Sequence, residues 1–214
     1  MESIFKLDSP VMRFLTLVTN LVCLNILWLL CCLPIITAGA ATAAMYYVIF
    51  QYINKQDDAV VKPFFTAFKD NFRQVTPIWI LSFLIGVALV AEIFYLSQGA
   101  EGWLILTFVI LAIVYLGAIS YLYPIMARYH APTRNSVMNC FVLSVRHLPS
   151  TLLVVALNVL PLAFYCMETD LFWRTSILWL FGGFALIAYA NGRILLSIFK
   201  KYEDPEADAE CEEN

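Results

Sequence analysis

The sequence predicts an all-α fold, a polytopic transmembrane helical bundle of about six spans with two cytoplasmic amphipathic interfacial helices. Composition, apolar runs and the placement of the basic residues lead there. The chain of 214 residues is 62% hydrophobic and 14% charged, whereas a soluble domain carries roughly 45–50% apolar and 25% charged residues. Its mean hydropathy is +0.79. A soluble fold of this size has too little interior to hide that much apolar surface, so lipid is the solvent for much of it.

A spanning helix needs about 20 mostly apolar residues. Six runs qualify, at about 14–36, 38–53, 77–97, 103–126, 149–167 and 175–199. The second run, AGAATAAMYYVIFQYI, is short and opens on small residues, and charge parity decides whether it spans. Lys and Arg gather on the cytoplasmic side of membrane spans. With six spans, twelve of the thirteen bases share one side: Lys6, Arg13, Lys55, Lys62, Lys69, Arg73, Arg128, Arg134, Arg146, Arg193, Lys200 and Lys201. Only Arg174 falls opposite, beside Glu101, Glu168 and Asp170. If the second run did not span, the Lys55–Arg73 loop would flip and the pattern would break. Six spans place both termini in the cytoplasm. Ala38-Gly39-Ala40 resembles a signal-peptidase site, but the apolar stretch before it is too long and carries Asn20, Asn25 and Trp28.

The transmembrane helical domain covers residues 1–202, and residues 203–214 form an acidic tail expected to be disordered, with seven acids and no base. Without the tail the body has thirteen bases against nine acids. Two linkers on the basic side read as amphipathic helices. In VVKPFFTAFKDNFRQV, Phe64, Phe68 and Phe72 recur every four residues, with Lys62, Lys69 and Arg73 off the stripe. The stripe is suited to acyl chains with the bases toward anionic headgroups, or to docking on the spans. In PTRNSVMNCFVLSVRHL, Val137, Phe141 and Val145 repeat the theme. Each linker leads to a proline, Pro77 or Pro149, that opens the next span. Residues 55–126 and 127–199 therefore read as a parallel repeat.

Polar residues inside the spans are the candidate site. Glu92 lies about five residues from the outer end of span three, about 7–8 Å of helix rise, so its carboxylate reaches outer water. Asn25, Asn158 and Asn191 either bond across helices or converge on a polar pocket; Pro161 follows Asn158 and loosens the helix there. Gly39, Ala40, Ala43 and Ala44 form a small-residue face on which a second helix, span one or another subunit, approaches closely. Tyr46, Tyr47, Trp79, Trp103, Tyr115, Tyr121 and Tyr123 suit aromatic interface belts. Six cysteines, Cys31-Cys32 among them, show no metal-ligand spacing. His130 and His147 form no recognisable site. Walker, Rossmann, HExxH and GxSxG motifs are absent. No enzyme activity, cofactor, metal or nucleic-acid partner is expected.

NILWLLCCLPIITAGAATAAMYYV (Asn25 to Val48), FFTAFKDNFRQVT, YLYPIMARY (Tyr121 to Tyr129), HLPSTLL (His147 to Leu153) and FALIAYANGRILLSIFKKYE resemble successive blocks of the YesL-like family. These are small bacterial integral membrane proteins with a domain of unknown function. The resemblance runs from about Phe14 to Glu203 and leaves out the acidic tail. It implies a multi-pass protein of the bacterial cytoplasmic membrane, of undefined activity, encoded near carbohydrate transport components. The expected role is an accessory or regulatory component linked to carbohydrate uptake. Its partners would be the lipid bilayer and a sugar ABC transporter subunit or sensor kinase. The alternative is a small solute transporter or channel acting as a homo-oligomer. The family brings no assigned catalytic or binding residue.

Overall fold

Apolar runs bounded by prolines, glycines and charges become helices throughout the computed structural model, which describes residues 10–56, 59–99, 102–129, 133–167 and 176–203. In order these are α1 (Pro10–Cys32), a 3-10 turn (Ile35–Thr37), α2 (Ala38–Ile53), α3 (Val61–Leu96), α4 (Gly102–Arg128), α5 (Thr133–Arg146), α6 (Leu148–Met167), a π-turn (Trp179–Gly183) and α7 (Phe184–Glu203). Six helical segments are long and apolar enough to cross a membrane: 11–32, 35–53, 61–96, 102–128, 148–165 and 176–203. Tyr129 and Arg128 meet Glu203, His147 meets Tyr202 and Phe50 packs on Phe199. These contacts gather the ends of α2, α4, α6 and α7 at one basic end of the bundle.

The short second span turns out to be the centre of the bundle. Over its apolar window α2 is 56% buried, against 6% for α3 and 11% for α4. It packs on α1, α3, α4 and α7. Its small residues and tyrosines suit that place, because protein and not lipid surrounds it. Gly39, Ala40, Ala43 and Ala44 are all buried, so the small-residue face is consumed inside the chain. Its close partner at Gly39 is α3, where an added Cβ would lie 2.5 Å from Trp79 Cβ and 3.3 Å from Val75 Cγ1. Tyr46, Tyr121 and Tyr123, expected in interface belts, are 5%, 0% and 6% exposed and belong to this core. Trp103 is exposed at the start of α4.

The first amphipathic segment and span three are one helix, and Pro77 lies inside it instead of opening it. Its 36 residues span about 54 Å, well beyond a hydrocarbon core of about 30 Å. The N-terminal part of α3 therefore extends past the apolar layer at the basic end. Its buried line is Phe64, Ala67, Asn71 and Val75, while Phe68 and Phe72 are only partly covered. A four-residue spacing advances about 400°, so the Phe stripe drifts roughly 40° per step away from the packed face. Phe64 thus docks on the bundle and does not face lipid.

The second amphipathic segment stays separate: α5 ends at Arg146, His147 forms a turn, and α6 begins at Leu148 with Pro149 in its first turn. This break distinguishes the second half of the expected repeat from the unbroken α3. The buried face of α5 is Ser136, Cys140 and Ser144, about 100° around the helix from the expected stripe. Phe141 and Val145 are 46% and 59% exposed. The small face packs because α5 lies on α4 near Gly117, where a Cβ would stand 3.8 Å from Ser144 Cβ and 2.9 Å from Thr151 Cγ2.

Candidate functional site

In a hydrocarbon layer every backbone polar group needs an internal partner. Span six departs from regular α-helical bonding at its π-turn, where Gly182 leaves helical geometry (φ 177°, ψ −4°). The Asn25 side chain, 0% exposed, bonds the backbone there. Its Nδ2 donates to the carbonyls of Trp179 (3.0 Å) and Leu180 (2.7 Å), and its Oδ1 accepts the Ala185 N–H (3.0 Å). An amide is the side chain that offers two donors and an acceptor without charge. Asn25 therefore ties α1 to the kink.

Asn158 and Asn191 do meet, but not Asn25. Asn158 Nδ2 donates to Ser120 Oγ (3.0 Å) and Asn191 Nδ2 donates to Asn158 Oδ1 (2.8 Å). Ser120 Oγ in turn donates to the Leu116 carbonyl (2.7 Å). This chain links α4, α6 and α7, and buried Tyr46 of α2 stands beside Asn191. Asn191 Oδ1 keeps no hydrogen-bond partner. Pro161 lies one helical turn on in α6. Glu92 is exposed near the C-terminal end of α3 and takes part in none of these networks. Two further polar links cross the helices: Ser82 Oγ and Tyr123 Oη lie 3.2 Å apart, and Thr151 Oγ1 lies 2.7 Å from the Ser144 carbonyl and 3.2 Å from Tyr121 Oη.

The remaining polar cluster is at the basic end, and no motif pointed to it. The chain leaves α2 through paired bonds, Gln56 N–H to the Gln51 carbonyl and Lys55 N–H to the Tyr52 carbonyl (both 3.1 Å). This is a Schellman termination. Lys55 takes the left-handed position (φ 54°), where glycine is usual. The turn folds Gln56 back over Gln51 and forms one wall of a cleft of about 330 Å³, completed by the end of α4 and by Glu203. Arg128 Nε and Nη2 donate to the two oxygens of Glu203 at 2.8 and 2.6 Å, and the Tyr129 hydroxyl donates to Oε1. Burial first, then the Glu203 carboxylate, push the Tyr129 hydroxyl up to about 12, which keeps it a donor. Glu203, expected to begin the acidic tail, closes α7 instead; residues 204–214 lie outside the described residues.

Beside the cleft, His147 Nε2 lies 2.9 Å from Tyr202 Oη, and the Arg146 guanidinium sits over the Tyr202 ring at 5.3 Å. Burial first, then Arg146 and Lys201, hold His147 below its usual 6.5. The unfolded chain then binds a proton that the folded one resists, so stability is intact above pH 6.5 and falls as the pH drops below it. His147→Gln is expected to flatten the fall in melting temperature between about pH 7 and pH 5. An unchanged slope in that window would remove His147 as its source.

Cys23, Cys31, Cys32 and Cys140 are free thiols, and Cys140 Sγ donates to the Val137 carbonyl at 2.9 Å. Among the described residues no group of three or more His, Cys, Asp or Glu side chains could hold a metal. His130, Glu101, Glu168, Asp170 and Arg174 lie outside the described residues.

Six helical spans joined by buried amide and hydroxyl bonds define a polytopic helical membrane protein. Over residues 21–93, from α1 to near the end of α3, the chain matches a family model described as "Protein of unknown function, DUF624". That stretch holds Asn25, all of α2 and the Gly39–Trp79 contact, and is less than half of the chain. No curated protein and no solved structure matches the chain.

Proposed function

We propose that the protein is an accessory or regulatory component of the bacterial plasma membrane, with both termini cytoplasmic, linked to carbohydrate uptake through a sugar ABC transporter subunit or a sensor kinase. The observation that carries this reading is what the in-membrane polar residues do. Asn25 and Asn191, both 0% exposed, hold helices and backbone together instead of lining a path for solute. A packed bundle suits a partner-binding role better than conduction. The YesL-like resemblance supports the carbohydrate link. The basic residues of the protruding part of α3, Lys62, Lys69 and Arg73, are exposed and offer a cytoplasmic contact. So does the apolar face of α5, with Met138 66% and Val142 56% exposed.

Gentle solubilisation of native membranes, purification of the tagged chain and mass spectrometry test the proposal. A sugar-transporter subunit or a sensor kinase is expected at near-stoichiometric yield. Reversing charge at Lys62, Lys69 and Arg73 is expected to cut that yield at least about tenfold without loss of the folded chain, because like charges across an interface oppose docking. Recovery of the protein alone, or only with its own copies, removes the accessory reading. Solute flux in vesicles that is lost in Asn158→Leu would then favour the oligomeric transporter.

A further inference from the structure

The Arg128–Glu203 contact has more machinery around it than a surface ion pair needs. Three donors converge on one carboxylate: two guanidinium N–H groups in fork geometry and the Tyr129 hydroxyl. Such an arrangement recognises the planar two-oxygen shape of a carboxylate, not merely its charge. The Arg128 guanidinium also lies near the Phe50 ring (6.0 Å) and the Tyr129 ring (5.8 Å). These faces hold it in place without help from Glu203. Glu203 is the more exposed half of the pair, its side chain 34% exposed against 19% for Arg128.

Next to this seat the cleft remains open, about 330 Å³, within the range of small-molecule sites. Gln51 on its wall is incompletely bonded. Its Nε2 donates to Tyr47 Oη at 3.0 Å, while its Oε1 is buried without a partner. Turning the amide over would let the oxygen accept from Tyr47 and would orphan the nitrogen instead. A buried polar atom without a partner is costly, so the Gln51 amide gains by turning toward a bound molecule that offers a matching group.

We propose that this cleft is a binding site for a small carboxylate that also carries a hydroxyl or amide group, and that Glu203 is a tethered carboxylate occupying its seat. The ligand carboxylate replaces Glu203 on Arg128 and Tyr129, and its second polar group bonds Gln51. One carboxylate exchanges for another, so the charge at the seat is unchanged. Glu203 is released from the seat. The inference does not depend on the accessory reading, because the cleft would serve a regulator or a transporter alike.

The full-length chain in lipid nanodiscs is titrated with malate, succinate and inorganic phosphate, read by calorimetry. Glu203→Gln is expected to bind malate at least about tenfold more tightly than the unaltered chain. A tethered competitor acts at an effective concentration in the mM range or above, and a seat mostly occupied by it lowers apparent affinity in proportion. Arg128→Lys in the Glu203→Gln chain is expected to lose that gain, because a point-charge ammonium does not replace the fork. Gln51→Leu is expected to bring malate down to the level of succinate and leave succinate unchanged. The proposal is overturned if Glu203→Gln binds malate no more tightly than the unaltered chain. It is also overturned if phosphate binds as well as malate, or if Gln51→Leu weakens both acids equally. Melting curves of Glu203→Gln separate loss of fold from loss of site.

Discussion

Replacing Asn25 by leucine is expected to lower the melting temperature of the purified protein by about 10 °C. The two side chains are similar in size, so packing is nearly conserved and the hydrogen bonds carry the difference. Three backbone groups lose their side-chain partner: the carbonyls of Trp179 and Leu180 and the N–H of Ala185. Leaving a buried polar group unpaired costs about 1–3 kcal/mol, and hydrocarbon offers no water to substitute. Partial relaxation of the π-turn leaves a net loss of about 3–5 kcal/mol. For a chain of this size that corresponds to roughly 2–4 °C per kcal/mol. Asn25→Asp is expected to be at least as damaging. It keeps an acceptor for Ala185 but loses both N–H donors and introduces an acid at a position that is 0% exposed. A change of less than about 2 °C in Asn25→Leu would mean that the kink is held by something else. Side-chain packing around Trp179 and Phe184, whose rings lie 5.6 Å apart, would then be the place to look.

The fate of Asn25 shows where sequence reasoning reaches and where it stops. A lone asparagine in an apolar run announces a need for partners, but its partners lie more than 150 residues away at a helix irregularity. The Gly182-Gly183 pair permits that irregularity without dictating it. Charge parity was legible because it depends on counts and order alone, and the segment it singled out, with the turn before it, is long and apolar enough to cross a membrane. The reason α2 is short and weakly apolar, its position at the centre, needed the packing. The amphipathic stripes misled in an instructive way. Phe64, Phe68 and Phe72 share a face only over a turn or two, and the packed line of α3 follows Phe64, Ala67, Asn71 and Val75. In α5 the core took the small polar face, because that face approaches α4 closely at Gly117. The cleft at the basic end was not legible at all. It joins the ends of three helices distant in sequence, and its Glu203 reads in isolation as the first residue of an acidic tail.

The second large effect is expected at Gly39, where two opposing contributions must be compared. Gly39→Ala adds a residue with better helix propensity, a gain of about 1 kcal/mol. The new Cβ would stand 2.5 Å from Trp79 Cβ and 2.9 Å from Trp79 Cγ, a separation that no real side chain tolerates. Trp79 Cβ is tied to the α3 backbone and has no free rotation by which to retreat. The far end of the ring is fixed as well, because its Nε1 donates to the Ile35 carbonyl at 2.6 Å. Helices α2 and α3 must therefore separate along the central contact of the bundle. Overpacking of this kind costs about 1–3 kcal/mol, which outweighs the propensity gain. Gly39→Ala is expected to lower the melting temperature by several degrees, and Gly39→Leu to leave little folded protein after detergent extraction. Gly99→Ala is the matched control: its added Cβ meets nothing within 4 Å, and its melting temperature is expected to stay level or rise slightly. Equal behaviour of the alanine variants at positions 39 and 99 would show that the α2–α3 approach is looser than these distances state. The small-residue face would then be free for a partner from outside the chain. A loss confined to position 39 fixes that face as the interior seam on which the other spans are assembled.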